Sequence, residues 1–168
     1  MNKNITEYII EMYRKEDMLR AYNLDLEKFG TQVINFFPID NKEKFLQVNY
    51  YEELIFKMQE QGIEKTGHLK ELNELVKSLS TLHKNLKKED NNYLEVYNKV
   101  EPFINENIKH AKGKVKDEIQ ICLNGVYGYL LLKIEERPIK PEEQSMVNAF
   151  GDLLSLLSFK YEHQKRLN

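Results

Sequence analysis

Leu69, Leu72, Val76, Leu79, His83 and Leu86 recur at alternating intervals of three and four residues. Only a helix of about 3.6 residues per turn brings residues so spaced onto one side, whereas a strand alternates its faces in twos. Leu75 and Leu82 widen the stripe. The chain therefore contains a long amphipathic helix that must bury this face against other elements. The same period recurs upstream in Phe45, Val48, Tyr51, Leu54, Ile55 and Met58. Downstream, Met146, Phe150, Leu153, Leu154, Leu157 and Tyr161 point inward, with Asn148, Asp152 and Ser155 on the opposite side.

Local stop and start signals divide these runs. Asn4 followed three residues later by Glu7 is a capping box that opens a first helix running to about Tyr22. Asp25 caps a second helix, which Pro38 ends at Phe37, and Pro38 to Asn41 form a loop. Gly62 closes the third helix. Thr66 or Gly67 opens the fourth, which a polar loop from Lys87 to Asn92 ends. Tyr93, Val96, Tyr97 and Val100 lead to Pro102, which either kinks the fifth helix or starts another. From Val115 to Arg137 the chain is apolar nearly all round, as expected of a helix at the centre of a bundle. Asp117 and Glu118 near its start, with Lys133 and Arg137 near its end, suit the helix dipole. Asn124-Gly125 between apolar residues is also a hairpin signal, but the run lacks strict alternation and helix is the preferred reading. Pro141 fits the first position of a last helix. The expectation is an all-α protein, one domain over residues 1–168, with six or seven mostly antiparallel helices and short connections.

The seven glycines and four prolines serve as punctuation only, with no low-complexity segment or fixed-period repeat. Twenty-five Lys and Arg against 27 Asp and Glu leave a net charge of -2, too balanced to draw in nucleic acid. The basic cluster Lys109, His110, Lys112, Lys114 and Lys116 lacks interleaved aromatics and runs into Asp117 and Glu118, so a solvated loop is the better reading. No apolar leader precedes the first helix, and Ile119 to Ile134 is too short and polar to span a bilayer. The single cysteine, Cys122, excludes an internal disulfide and reads as a small buried hydrophobe. A soluble, cytoplasmic protein follows as the expectation, with no membrane or nucleic-acid partner.

Few residues break the apolar pattern in a way that invites chemistry. Glu16 falls in the middle of the face made by Ile5, Ile9, Met12 and Leu19, and Arg20 lies four residues on, in the favourable order for an ion pair. A charged pair on a core-facing arc needs partners. Either these groups form a buried polar site or they are partly solvated near the helix end. Asn124, in the most apolar segment, is expected to be buried and hydrogen-bonded, either fixing helix register or contacting a ligand, with Tyr127 nearby. Glu16, Arg20, Asn124 and Tyr127 are thus the candidates for a polar pocket. Gly125 and Gly128 leave room for a close helix neighbour. The histidines His68, His83, His110 and His163 make no metal-binding spacing, and His83 reads as a partly buried histidine with a hydrogen bond. No phosphate loop or nucleophile motif occurs, so no cofactor, metal or catalytic residue is expected.

Three stretches together resemble one family. They are Ile5-Thr6-Glu7-Tyr8-Ile9-Ile10-Glu11-Met12-Tyr13-Arg14-Lys15-Glu16-Asp17-Met18-Leu19-Arg20, the run Tyr127-Gly128-Tyr129-Leu130-Leu131-Leu132-Lys133, and the leucine-rich helix before Lys160-Tyr161. They resemble the bacterial domain-of-unknown-function family 4924 over nearly the whole chain. The resemblance implies an all-helical protein without an assigned activity, and it draws attention to Arg14, Glu16, Asp17 and Arg20. Two functions remain in view. One is a non-enzymatic helical module that binds another protein or itself, suggested by the leucine stripe and the aromatic excess. The other is a small-ligand-binding protein or enzyme whose polar pocket lies inside the bundle. Burial of the whole leucine stripe within one chain weakens the stripe as an argument for the first.

Overall fold

The computed structural model describes residues 3–168, and Met1 and Asn2, where the sequence reading begins, lie outside the described residues. Seven α-helices and one 3-10 turn account for most of them, and no strand occurs among the described residues. The helices are α1 (Ile5–Ala21), α2 (Leu26–Gln32), α3 (Asn41–Glu60), α4 (Lys70–Glu89), α5 (Asn91–His110), α6 (Glu118–Ile134) and α7 (Pro141–Leu167), with the 3-10 turn at Ile34–Phe36. The all-α bundle expected from periodicity is what the chain forms. Its residues group into two compact units. One is Glu11–Asn73; the other joins the residues up to Ile10 with Glu74–Asn168, so the divisions fall inside α1 and α4.

In the Glu11–Asn73 unit, α2 and the 3-10 turn pack on α3 around buried Phe29, Ile34, Tyr51, Leu54 and Met58. The rings of Phe29 and Tyr51 are 4.7 Å apart. Asp25 accepts from the Lys28 amide and caps α2, as the sequence indicates. Asp40 likewise accepts from the Glu43 amide and opens α3 at the end of the short loop. At the far end of α3, Gly62 takes φ +69°, which costs a glycine little. Its amide bonds to the Gln59 carbonyl and the Ile63 amide to the Met58 carbonyl, a Schellman closure. Phe45, assigned to the inward stripe, is instead exposed.

In the other unit, α5, α6 and α7 pack together. Tyr93, Val100, Ile104, Ile119, Cys122, Leu123, Phe150, Leu153 and Leu157 are buried in its core. Asn4 and Glu7 make the expected reciprocal cap on α1, and the buried Thr6 and Ser158 hydroxyls meet at 3.0 Å. Asn124-Gly125 lies inside α6, in keeping with the preferred helical reading of that segment. Other expectations are resolved or corrected. Pro102 sits inside α5, so the helix runs through it and forgoes one amide bond. The polar loop expected at Lys87–Asn92 is a single residue: Asp90 accepts from the Tyr93 amide and caps α5 at once, and its other oxygen binds Lys160 at 2.8 Å. In α6 only Ile119, Ile121, Cys122 and Leu123 are buried, while Val126 to Leu132 are half-buried and Asn124 is exposed. Asn124 accepts from the Gln120 side chain at 2.9 Å, so it needs no core partner. Gly125 does bring a helix close: a Cβ there would stand 2.6 Å from the Phe150 ring of α7, whereas one at Gly128 would meet nothing within 4 Å.

Candidate functional site

α1 places Glu16 in the Glu11–Asn73 unit, and its side chain is fully buried. One carboxylate oxygen accepts the Leu69 amide at 2.8 Å, and the other lies 2.8 Å from His68 Nδ1. The His68 ring stacks on the buried Tyr13 ring at 3.7 Å and 16°. The Gln61 side chain accepts the Lys70 amide at 2.7 Å. These two side chains take the amides at the head of α4, which is why α4 starts at Lys70 rather than at Thr66 or Gly67. A carboxylate at a helix N-terminus is also favoured by the helix dipole. Among the described residues no ion pair joins Glu16 to Arg20. Arg20 pairs with Asp17 at 2.9 Å and donates to the carbonyls of Ile63 (3.1 Å) and Gly67. The four-residue spacing suggested an ion pair, but the loop before α4 offers each group a better-placed partner. Both side chains hold this loop, and every oxygen of Glu16 is engaged.

Asn124 and Tyr127 belong to the other unit, both on α6, with Asn124 exposed and Tyr127 half-buried. Within that unit a polar centre appears that the sequence reading did not assemble. His83 of α4 is buried, and its Nδ1 lies 2.6 Å from the hydroxyl of buried Tyr93 on α5. Its Nε2 stands 3.7 Å from Glu118 on the first turn of α6, beyond hydrogen-bond reach, and neither that nitrogen nor the facing Glu118 oxygen has a hydrogen-bond partner. The other Glu118 oxygen accepts from Lys87 at 2.9 Å, and the Lys87 ammonium lies 4.1 Å from the centre of the Tyr97 ring. Burial alone would raise the Glu118 carboxyl. The His83, Tyr97 and Lys87 side chains around it outweigh burial and hold it down at about 2. Burial, then neighbouring Glu118, through a hydrogen bond and its charge at Tyr97 and through its charge at Cys122, pushes up the Tyr97 hydroxyl and the Cys122 thiol, so neither is a ready nucleophile or acid. Tyr93 and His83 are closed off from solvent, Glu118 keeps a quarter of its side chain exposed, and the row Tyr93–His83–Glu118 draws on three helices. The only signal for it in the sequence was His83 on a leucine stripe, a polar group that burial obliges to find partners.

The surface carries a stronger signal. Of the eight phenylalanines, four are largely exposed: Phe36 (80%), Phe45 (65%), Phe56 (63%) and Phe159 (66%). Phe45 and Phe56 are eleven residues apart on α3, about three turns, so they lie within roughly 20° of each other on one side of the helix. Leu46 beside them is exposed too. By contrast Leu69, Leu72, Val76, Leu79 and His83 of the leucine stripe are buried, which leaves that stripe with little free apolar area. Two adjoining surface depressions, roughly 310 and 670 Å³, lie between the start of α1 and the end of α7, the first lined by Asn4, Ser158, Phe159, His163 and Arg166 among others, the second by Tyr8, Tyr161 and Lys165. No group of three or more metal-ligating side chains occurs among the described residues, and none of the described helices is long and apolar enough to cross a membrane.

Fold and surface together define an all-helical protein with largely buried polar centres and an open aromatic helix face. The chain belongs to the family described as Domain of unknown function (DUF4924), whose model matches residues 1–168, the whole chain. No curated protein and no solved structure matches it.

Proposed function

We propose that this protein is a non-enzymatic helical interaction module of the cytoplasm, and that the outer face of α3 is its contact surface. One observation carries the reading: Phe45 and Phe56 share one exposed face of α3. Single exposed apolar residues are ordinary, but large aromatics aligned on one helix face are what interfaces use. The Glu16 centre supports the same reading from the other side, because both carboxylate oxygens are spent on His68 and the Leu69 amide. A photo-crosslinking residue at Asn49, between the two phenylalanines, tests it in living cells. Discrete adducts, to another chain or to a second copy, are expected from position 49 and not from exposed Lys77 on α4. Equal labelling from both positions, or none, would refute the module.

A small-ligand role has its own observation, the depression between α1 and α7, which adjoins a second of roughly 670 Å³, both volumes within the range of ligand sites. Its lining mixes a histidine, an arginine and a glutamate without a closed wall. The α3 face is the better supported of the two.

A further inference from the structure

We infer that the partner of the α3 face is a second copy of this chain, paired antiparallel about a two-fold axis between Tyr50 and Tyr51. This inference rests on the interaction reading and specifies its partner. Lys42, Phe45, Asn49, Glu52, Phe56 and Gln59 are all exposed on α3. Their spacing is three, four, three, four, three, so they line one side of the helix, with apolar side chains at Phe45 and Phe56. The inward stripe of the same helix already uses Tyr51, Leu54, Ile55 and Met58, so this face is a second one.

The face complements itself better antiparallel than parallel, although the two Glu52 carboxylates then lie one layer apart across the axis. Laid antiparallel on itself, each Phe45 meets Phe56 of the second copy, twice over. Each Asn49 amide meets a Glu52 carboxylate, a charge-assisted pair. Lys42 meets Gln59 and comes next to Glu60, which is also exposed. Laid parallel, Glu52 would stack on Glu52 and Lys42 on Lys42, two like-charge contacts. Polar residues at seam positions are known to select register and direction in this way. Four partly exposed phenylalanines and two Leu46 side chains bury only several hundred Å² of apolar surface, roughly the range of weak and transient complexes. The dimer therefore forms in a concentration-dependent way and exchanges readily.

Sedimentation velocity of the full chain from low to high micromolar concentration tests this. The native chain should move from monomer to dimer across the range. Phe45→Ser with Phe56→Ser should stay monomeric, its helix content unchanged by circular dichroism because both side chains are exposed. Asn49→Lys should tighten the dimer by about fivefold, since it sets two exposed ion pairs against Glu52; a parallel pair would be weakened by the same change. The Asn49→Lys result decides the matter even if the double serine variant folds poorly. A monomer at every concentration, a dimer that survives the loss of both phenylalanines, or a weaker Asn49→Lys dimer overturns the inference. A monomer that nonetheless gives discrete adducts to another protein from position 49 overturns the self-pairing and leaves the interaction module standing.

Discussion

Gly125 and Gly128 stand three residues apart on α6, and replacing each by alanine should change stability in opposite directions. In a helix interior, Gly→Ala gains about 0.8–1 kcal/mol from backbone freedom alone. At Gly128 nothing lies within 4 Å of the new methyl, so that gain should appear almost whole. At Gly125 the methyl would sit 2.6 Å from two carbons of the Phe150 ring. Phe150 is fully buried in α7, so the ring cannot swing into solvent to make room. Overpacking of this kind costs about 2–3 kcal/mol, which leaves Gly125→Ala less stable than the native chain by about 1–2 kcal/mol after the helix gain is subtracted. Urea unfolding followed by circular dichroism measures both variants against the native protein under identical conditions. The two midpoints should fall on opposite sides of the native one. If Gly125→Ala proves as stable as Gly128→Ala, the close approach of α6 to α7 at this point is wrong, and with it the reason given for a glycine there.

The remaining tests address the polar centres. Glu16→Ala strands the Leu69 amide and His68 and should cost about 2–4 kcal/mol, with faster hydrogen exchange at the Leu69 amide; an unchanged exchange rate there would show that Glu16 does not hold the loop. Glu118 has a folded pKa, about 2, below its unfolded value. Its contribution is therefore complete above the unfolded carboxylate range and is lost as pH falls from about 5 towards 2. Glu118→Gln should flatten that acid limb of the stability profile, and parallel profiles for the two proteins would count against the reading. Cys122, buried with its thiol pushed up, should stay inert to a neutral-pH thiol reagent in the folded chain and react fully once denatured; rapid labelling of the folded protein would contradict its placement.

What could be read from the sequence was local in origin. The Asn4–Glu7 cap, the Asp25 cap, the Gly62 closure and Pro141 at the head of α7 each depend on contacts within a few residues. What could not be read depends on distant partners. α4 begins three residues beyond Gly67 because a glutamate fifty-three positions away takes the Leu69 amide. α6 looks central by composition, yet apolar residues on every side do not reveal which sides neighbours cover, and the latter half is only half-buried. Asn124 was given a core role by the apolarity of its neighbours, and it faces solvent. The His83–Tyr93–Glu118 centre draws on three helices, and no spacing rule joins them. The α3 stripe shows the same limit in reverse: period alone put Phe45 with the core, and the residue lies on the exposed side of the helix.

The one-residue joint at Asp90 has a kinetic consequence. Closing so short a connection loses almost no chain entropy, and the His83–Tyr93 bond it allows spans only ten positions. The His83–Tyr93 contact is therefore among the tertiary contacts that need the least chain to form. The Thr6–Ser158 contact is its opposite, for 152 positions separate the two hydroxyls. A ribosome must finish almost all of α7 before the start of α1 finds its place, so a nascent chain carries its opening helix turn unanchored while the helices between are already folding.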